Sequence, residues 1–129
     1  MILVDTSVWI DYFNGKTNPQ TISLEKYLDG DIIIVGDLIL AELLQGFSTD
    51  DDASAALKEL SKCVFYDMVG KEIAVESARK YRYLRKKGIT VRKTIDMLIG
   101  TFCIYHHIRL LHNDRDFDPL EKYLGLIVA

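Results

Sequence analysis

Met1-Ile2-Leu3-Val4-Asp5-Thr6-Ser7, at the start of the chain, is the stretch that decides the fold. Its apolar residues predict a short buried strand from Leu3 to Asp5, and the residues that follow predict a helix as far as Phe13. The strand therefore ends on an aspartate and passes directly into a helix. Because ligands of parallel α/β sheets bind beyond the carboxyl ends of the strands, Asp5 is a candidate functional residue.

The rest of the chain alternates between strand-like and helical patterns. A β-branched run, residues 32–35, predicts the second strand; Asp37 is the predicted N-cap of the next helix, through Phe47, and Thr94 that of a later one. The other predicted strands cover residues 63–67, 110–111 and 126–128, and the helices cover residues 21–28, 50–62, 71–87, 94–107 and 116–123. This order predicts an α/β fold with a central parallel sheet of about four to five strands flanked by helices, in a single domain over residues 1–129.

The composition is that of an ordinary folded protein, with 49% hydrophobic and 27% charged residues. No apolar run approaches the roughly 20 residues that a membrane-spanning helix needs, and no basic segment precedes the first strand as in a signal peptide. We therefore expect a cytoplasmic protein with no membrane partner. Cys63 and Cys103 lie in apolar segments without metal-type spacing, which predicts buried free thiols.

Four carboxylates lie within the most hydrophobic segments of the chain, namely Asp5, Glu42, Asp96 and Asp114. An acid among apolar residues costs several kcal/mol unless its charge is compensated. Taken singly, Asp5 and Asp96 suit helix N-termini and Asp114 suits a turn. A divalent cation at a point where all four converge explains them together. Mg²⁺ or Mn²⁺ prefers such oxygen ligands and keeps room for phosphate oxygens.

The net charge of −3 hides a basic block between Arg79 and Lys93 that contains no acid. We expect this block to hold nucleic-acid phosphates beside the acids, although a solvated helix face explains it equally well. The candidate RNA-binding residues are Arg79, Arg82, Arg85, Lys86, Lys87, Arg92 and Lys93. Tyr81 and Tyr83 lie among them and suit either base stacking or packing on the core. Acids and bases together predict metal-assisted hydrolysis of a phosphodiester.

Four sequence blocks carry a resemblance that spans residues 3–117, nearly the whole chain. They are Val4-Asp5-Thr6-Ser7-Val8-Trp9-Ile10-Asp11, Ala41-Glu42-Leu43, Thr94-Ile95-Asp96 and Asn113-Asp114-Arg115-Asp116-Phe117. In order and spacing they resemble the four acidic blocks of PIN-domain ribonucleases. More narrowly, they are similar to those of the VapC-type toxins of bacterial and archaeal toxin–antitoxin pairs.

The resemblance implies a PIN-like fold and an endoribonuclease toxin that requires Mg²⁺ or Mn²⁺, forms a homodimer and is restrained by a cognate VapB-like antitoxin. The catalytic and metal-binding residues that it implies are Asp5, Glu42, Asp96 and Asp114. The auxiliary residues that it implies are Thr6, Ser7, Asn113 and Asp116. Many PIN domains carry Thr or Ser two residues before the fourth acid, where this chain has His112. Because no acid is lost, we expect activity to survive this departure.

Two other classes of function stay open. A haloacid-dehalogenase-like phosphatase or a receiver domain also places an aspartate at a strand end. The phosphatases, however, carry a second Asp where this chain has Ser7, and receivers need a late lysine that residues 110–113 lack. A non-catalytic PIN-like module that binds RNA or a protein through the same surface is the other alternative. The histidines at positions 106, 107 and 112 lack the spacing of transition-metal sites, so we expect helix-end and supporting roles for them.

Overall fold

A parallel sheet of four strands lies at the centre of the protein in the computed structural model, which describes residues 1–129. The strands are β1 (Ile2–Val4), β2 (Ile33–Gly36), β3 (Val64–Tyr66) and β4 (Arg109–Leu111). The helices are α1 (Thr6–Phe13), α2 (Pro19–Gly30), α3 (Asp37–Gln45), α4 (Asp50–Leu60), α5 (Lys71–Lys86), α6 (Thr94–His106) and α7 (Asp118–Leu124), with a 3₁₀ helix over Arg115–Phe117. The predicted α/β class and parallel sheet are confirmed.

The strand order is β3-β2-β1-β4, so the first strand of the chain lies inside the sheet. Parallel pairing sets Ile2 beside Ile33 on one side of β1, and Leu3 beside Leu110 on the other. Every residue of β1 is fully buried, as expected for a strand covered on both faces. The chain runs from β1 to β2 in one direction and returns to β4 in the other. The carboxyl end of β1 is therefore a topological switch point, where open α/β sheets form ligand sites.

Side chains from both faces of the sheet and from the surrounding helices form one hydrophobic core. Trp9 of α1 is buried in it and stacks on Phe13 with ring centroids 5.8 Å apart. Cys63 and Cys103 are both free thiols, but only Cys103 is buried, because Cys63 lies at the start of the exposed edge strand β3. None of the helices has the length and hydropathy needed to cross a membrane.

Two predictions near the C-terminus were wrong. Residues 126–128 form no full strand, and only Val128 bridges to Leu110, because Leu126 donates its backbone N–H to the Leu120 carbonyl of α7 (3.2 Å) and not to the sheet. The helix predicted over residues 116–123 is divided into the 3₁₀ helix and α7. Pro119 lies in the first turn of α7, where its missing N–H is tolerated, so the α-helix begins there instead of continuing from residue 116.

Two predicted caps also differ from the structure. Gly36 is the N-cap of α3, and Asp37 is the first helical residue. The Asp37 carboxylate instead accepts hydrogen bonds from the backbone N–H groups of Leu38 (2.9 Å) and Met68 (3.0 Å), which ties α3 to the segment after β3. Thr94 is likewise the first residue of α6, after Lys93, and no side chain caps that helix.

Candidate active site

The four acids predicted from the sequence lie around the carboxyl ends of β1 and β4. Asp5 directly follows β1, and its backbone N–H donates to the carbonyl of Leu111 at the end of β4 (2.9 Å). Asp114 lies just beyond the same end of β4. Glu42 is on α3, and Asp96 is in the first turn of α6. Their charges influence one another's pKa values, so the fold brings all four into one pocket.

Asp5 links the sheet to α1. It is the N-cap of α1, and its Oδ2 accepts hydrogen bonds from the Ser7 backbone N–H (3.1 Å) and the Ser7 hydroxyl (2.6 Å). Burial raises the pKa of Asp5 and the Asp114 charge raises it further, whereas the Ser7 hydrogen bonds lower it. Asp5 is thus a buried carboxyl with one oxygen fixed by Ser7.

Glu42 is half-buried on α3 and is held by the first helical residue of α1. The Thr6 hydroxyl donates to Glu42 Oε1 at 3.0 Å. Desolvation is the main reason that the pKa of Glu42 is raised, and the charges of Asp5 and Asp114 act in the same direction. The Thr6 hydrogen bond and the charge of Lys93 oppose them. The hydroxyl of Thr6 thus donates to Glu42, and the hydroxyl of Ser7 donates to Asp5.

Asp96 is the most constrained of the acids. It is 4% exposed, and its Oδ2 is buried without any hydrogen-bond partner. Burial raises the pKa of Asp96 to about 7, with further contributions from Asp114 and Asp5 that outweigh the opposing charge of Lys93. Buried polar atoms in folded proteins are almost always satisfied, so an orphaned carboxylate oxygen points to a missing partner.

Asp116 joins Asp96 and Asp114 in the tightest acidic cluster. One carboxylate oxygen from each of the three lies within 4.8 Å of the others, a set that contains neither Asp5 nor Glu42. Asp114 caps the 3₁₀ helix by accepting the Asp116 N–H on Oδ1 (2.9 Å), and this turn brings the Asp116 side chain back to the cluster. The cluster and its orphaned oxygen fit a hard cation, which takes several carboxylate oxygens. Asp116, expected only as an auxiliary residue, is therefore central.

Asn113 and Ser7 connect the two strand ends at the pocket. The Asn113 backbone N–H donates to the Ser7 hydroxyl oxygen (3.1 Å), which itself donates to Asp5. The Asn113 amide donates to Asp11 Oδ2 at 3.5 Å. The loop after β4 is thereby tied to the start of α1, and Asn113 acts on the acids through Ser7.

His112 contacts the main chain of Asp114 at the pocket. Its ring Nδ1 accepts a hydrogen bond from the backbone N–H of Asp114 at 3.1 Å. The ring packs on Phe117 with centroids 4.9 Å apart. The position of His112 two residues before an acid was visible in the sequence, but the direction of its ring was not.

The predicted RNA-binding residues divide into two groups. Arg92 contacts both oxygens of Asp116 at 3.4 Å, and the charge of Lys93 acts on Asp96 and Glu42. The others lie on or just after α5, where Arg79 pairs with Glu76 (3.0 Å) and Lys87 lies over the ring of Tyr83 (5.1 Å). Tyr81 is half-buried against the core, whereas Tyr83 is exposed. Only two of the seven bases thus act directly on the acids.

A family model described as the PIN domain matches residues 2–123 of this chain. The chain belongs to the PIN domain family. Ribonuclease VapC11 of Mycobacterium tuberculosis is 32% identical over 132 residues, which cover 100% of this chain and 98% of VapC11. Ribonuclease VapC1 of Methanocaldococcus jannaschii is 29% identical over 124 residues, with 95% and 82% covered. The crystal structure of VapBC2 from Rickettsia felis bound to a promoter DNA fragment is similar in fold, with a TM-score of 0.77, 21% identity, and 100% of this chain and 98% of that chain covered.

These matches confirm the resemblance drawn from the acidic blocks. The PIN domain match begins within β1 and ends within α7, so it contains Asp5, Glu42, Asp96 and Asp114 as well as Asp116. The likeness to VapC11 extends over the full chain, which places this PIN domain among the VapC ribonucleases. The acidic pocket at the switch point is therefore the candidate active site of a PIN-domain nuclease.

Proposed function

We propose that this PIN domain, residues 1–129, is a metal-dependent endoribonuclease toxin that hydrolyses RNA phosphodiester bonds and is neutralised by a cognate VapB-like antitoxin. The observation that carries the proposal is the Asp96 carboxylate, which is buried with an unpartnered oxygen and lies within 4.8 Å of the Asp114 and Asp116 carboxylates. Three carboxylates at this spacing repel one another unless a cation lies between them. The relatives VapC11 and VapC1 are ribonucleases, which supports RNA as the substrate.

The proposed cation is Mg²⁺ or Mn²⁺. The residues that would hold it are Asp96, Asp114 and Asp116, with Asp5 and Glu42 completing the pocket. When bound, it would stabilise charge on the phosphate and lower the pKa of a bound water. The cluster offers only carboxylate oxygens, whereas zinc and copper sites use imidazole or thiolate ligands, so the donor set favours a hard ion.

The protein's own groups prepare the pocket for the substrate. The Ser7 hydroxyl donates to one oxygen of Asp5, and the Thr6 hydroxyl donates to one oxygen of Glu42. These two hydrogen bonds fix the direction of both carboxylates. Glu42 Oε2 makes no protein hydrogen bond, and Glu42 is half-buried with a raised pKa. A carboxylate of that kind can accept the proton of an attacking water, and we assign this role to Glu42.

The RNA strand is proposed to reach the acids past Arg92 and Lys93. Arg92 is largely exposed and already contacts Asp116, so its guanidinium is within reach of a phosphate beside the acidic cluster. The remaining basic residues extend from this point along α5 and would hold the flanking phosphates. In the proposed homodimer, the basic tracks of the two protomers would combine. We also propose that the protein acts in the cytoplasm.

The antitoxin partner is supported by the kind of structures that share this fold. The Rickettsia felis VapBC2 structure, and the VapBC structure from Salmonella typhimurium with a TM-score of 0.74 and 14% identity, are both toxin–antitoxin complexes bound to DNA. We propose that a VapB-like protein covers the acidic pocket of this chain. Guanidinium groups bind carboxylates in a bidentate manner, so an arginine of the partner is the expected contact.

The test is cleavage of total cellular RNA by the purified, antitoxin-free protein in Mg²⁺, Mn²⁺ or EDTA. Asp96→Asn removes one carboxylate of the cluster, and Asp51→Asn, an exposed acid of α4, is the matched control. We expect discrete fragments from the wild type and from Asp51→Asn that require the ion, and a loss of more than about 100-fold in Asp96→Asn, because even residues behind the metal ligands cost roughly 10- to 100-fold.

Cleavage that persists in EDTA, or in Asp96→Asn, would contradict the proposed chemistry. Ion binding without cleavage of any RNA would favour the non-catalytic binding module. A phosphorylated Asp5 trapped from a phosphate donor would favour the phosphatase or receiver class.

A further inference from the structure

His112 occupies a position from which it can set the backbone of an acidic residue. The backbone N–H of Asp114 donates to His112 Nδ1 at 3.1 Å, and Asp114 Oδ1 accepts from the Asp116 N–H at 2.9 Å. Asp114 is therefore restrained on both sides, by the histidine ring before it and by the turn after it. The ring itself is half-buried and held against Phe117.

The hydrogen bond fixes the role of one ring nitrogen. A nitrogen that accepts an N–H must present its lone pair, so Nδ1 is the acceptor in this contact. His112 Nε2 is buried and has no partner. The histidine thus makes one specific polar contact, and that contact is directed at the main chain of Asp114.

We propose that His112 is a positioning residue that fixes the direction of the Asp114 carboxylate in the acidic cluster. Its Nδ1 supplies an acceptor for the N–H two residues further on, which is the contact that Ser and Thr hydroxyls make in local turns. The inference rests on the proposed function, because it takes Asp114 as a metal ligand. It explains how this chain keeps its fourth acid in place with a histidine where many PIN domains carry Thr or Ser.

A purely structural role for His112 makes a different prediction. If His112 only fills space beside Phe117, an aromatic replacement preserves its contribution and a small polar replacement does not. If His112 acts through Nδ1, a small polar replacement that carries an acceptor preserves its contribution and an aromatic replacement without an acceptor does not. The amide of asparagine carries its oxygen on the γ carbon, as Nδ1 lies on the γ carbon of histidine, and it can accept the same N–H.

The test compares His112→Asn, His112→Leu and His112→Phe. Leucine matches the branched shape of asparagine without an acceptor, and phenylalanine keeps the ring contact with Phe117 without an acceptor. The readouts are Mn²⁺ affinity by calorimetry and hydrogen exchange of the Asp114 amide by NMR without metal. We expect His112→Asn to stay near wild type, and the Leu and Phe variants to bind Mn²⁺ about 10- to 100-fold more weakly, with Asp114 exchange faster by up to about tenfold.

Wild-type Mn²⁺ affinity and Asp114 protection in His112→Phe, with a loss of both in His112→Asn, would overturn the proposal. Failure of the proposed function looks different, because it leaves a wild-type protein that cleaves no RNA. If the wild-type protein cleaves no RNA, the Asp114 exchange rates of the three variants still distinguish the acceptor role of His112 from its packing role. Their measurement requires neither RNA nor a bound ion.

Discussion

At the scale of one residue, the buried carboxylate of Asp96 lowers the stability of the metal-free fold at the candidate active site. Its carboxylate is buried with an unpartnered oxygen, and its pKa is raised to about 7. In the metal-free protein this arrangement opposes folding, because a charged or orphaned carboxylate loses its hydration without compensation. Sites that break a local rule of folding in this way are commonly functional. Under the proposed function, a bound cation would supply the missing compensation.

Arg92 is the basic residue for which the structure supports the sharpest single-residue prediction. Its pair with Asp116 is exposed, so we expect Arg92→Gln to change the free energy of unfolding by less than about 1 kcal/mol. RNA binding should weaken, and the dependence of log Kd on log salt should fall by about one, as when one phosphate contact is lost. Fluorescence anisotropy with a labelled RNA in Ca²⁺ measures both quantities.

Arg79→Gln is the matched control, because Arg79 also pairs with one carboxylate, but that carboxylate is Glu76 on α5 (3.0 Å) and not a member of the acidic cluster. We expect a smaller loss of RNA affinity from this variant. If both substitutions weaken binding equally, the phosphate track runs evenly along the basic block and Arg92 has no special place at the acids.

Glu42 and Asp96 stood out in the sequence because apolar residues lie on both sides of each, and Asp5 and Asp114 because each follows a strand-like apolar run. The prominence of Asp116 was not predictable, since it depends on a 3₁₀ turn that brings its carboxylate back beside Asp96 and Asp114. The same limit applies to the basic block. Its seven candidate RNA-binding residues are equivalent in sequence, and only the fold distinguishes Arg92 and Lys93 from the five on or just after α5.

At the scale of secondary structure, the position of α6 decides where Asp96 lies. Gly100 follows Asp96 by one helical turn, and a Cβ atom at Gly100 would overlap Leu120 Cδ2 of α7. Phe117 of the 3₁₀ helix lies next to the same point. The absence of a side chain at Gly100 therefore allows α6 to approach the turn that carries Asp114 and Asp116.

Gly100→Ala should destabilise the protein by about 1–3 kcal/mol, since Leu120 is fully buried and cannot move aside freely. The displaced α6 should also weaken Mn²⁺ binding. Urea denaturation and calorimetry measure the two effects. Shortening the obstructing side chain in Gly100→Ala/Leu120→Val should restore part of both losses, so that the double variant loses less than the sum of the single ones.

Gly30→Ala serves as the control for this experiment, because nothing lies within 4 Å of the Cβ atom that it adds. We expect no loss of stability from it. Additive losses in Gly100→Ala and Leu120→Val would mean that Gly100 does not serve the close approach of α6.

The limits of prediction at this scale are physical. α1 was predicted to its last residue, because an apolar strand, a capping acid and a helical pattern follow one another without a break. Residues 126–128 have strand composition but form only one bridge, since Leu126 donates its backbone N–H to the Leu120 carbonyl of α7, a contact that composition does not reveal. Asp37 and Thr94 suit helix caps by residue type. In the structure, however, each is the first helical residue, and the residue before it is the N-cap.

For the whole molecule, the raised pKa values of the pocket acids predict how stability depends on pH. Asp96 has a pKa of about 7 in the fold and 3.8 as its ordinary value, and the pKa values of Asp5 and Glu42 are shifted upwards as well. Between pH 3.8 and about pH 7, Asp96 therefore holds a proton in the folded, metal-free protein that it has released in the unfolded chain. The free energy of unfolding must therefore fall as the pH rises from about 4 to about 7, by up to roughly 1.4 kcal/mol per pH unit for each such group.

Urea denaturation of the EDTA-treated protein between pH 5 and pH 8 tests this prediction against Asp96→Asn. The variant has no carboxyl group to titrate at position 96, so its stability should decline less steeply over the same window, and it should be the more stable protein at pH 8. Saturating Mn²⁺ should reverse the order at that pH, because the ion binds the ionised wild-type cluster and stabilises the folded state alone. The difference between wild type and Asp96→Asn reports the titration of Asp96 together with its influence on the neighbouring acids. Equal slopes for the two proteins without metal would mean that Asp96 is ionised throughout, and that its buried charge is balanced by Lys93 and Arg92 instead of awaiting a cation.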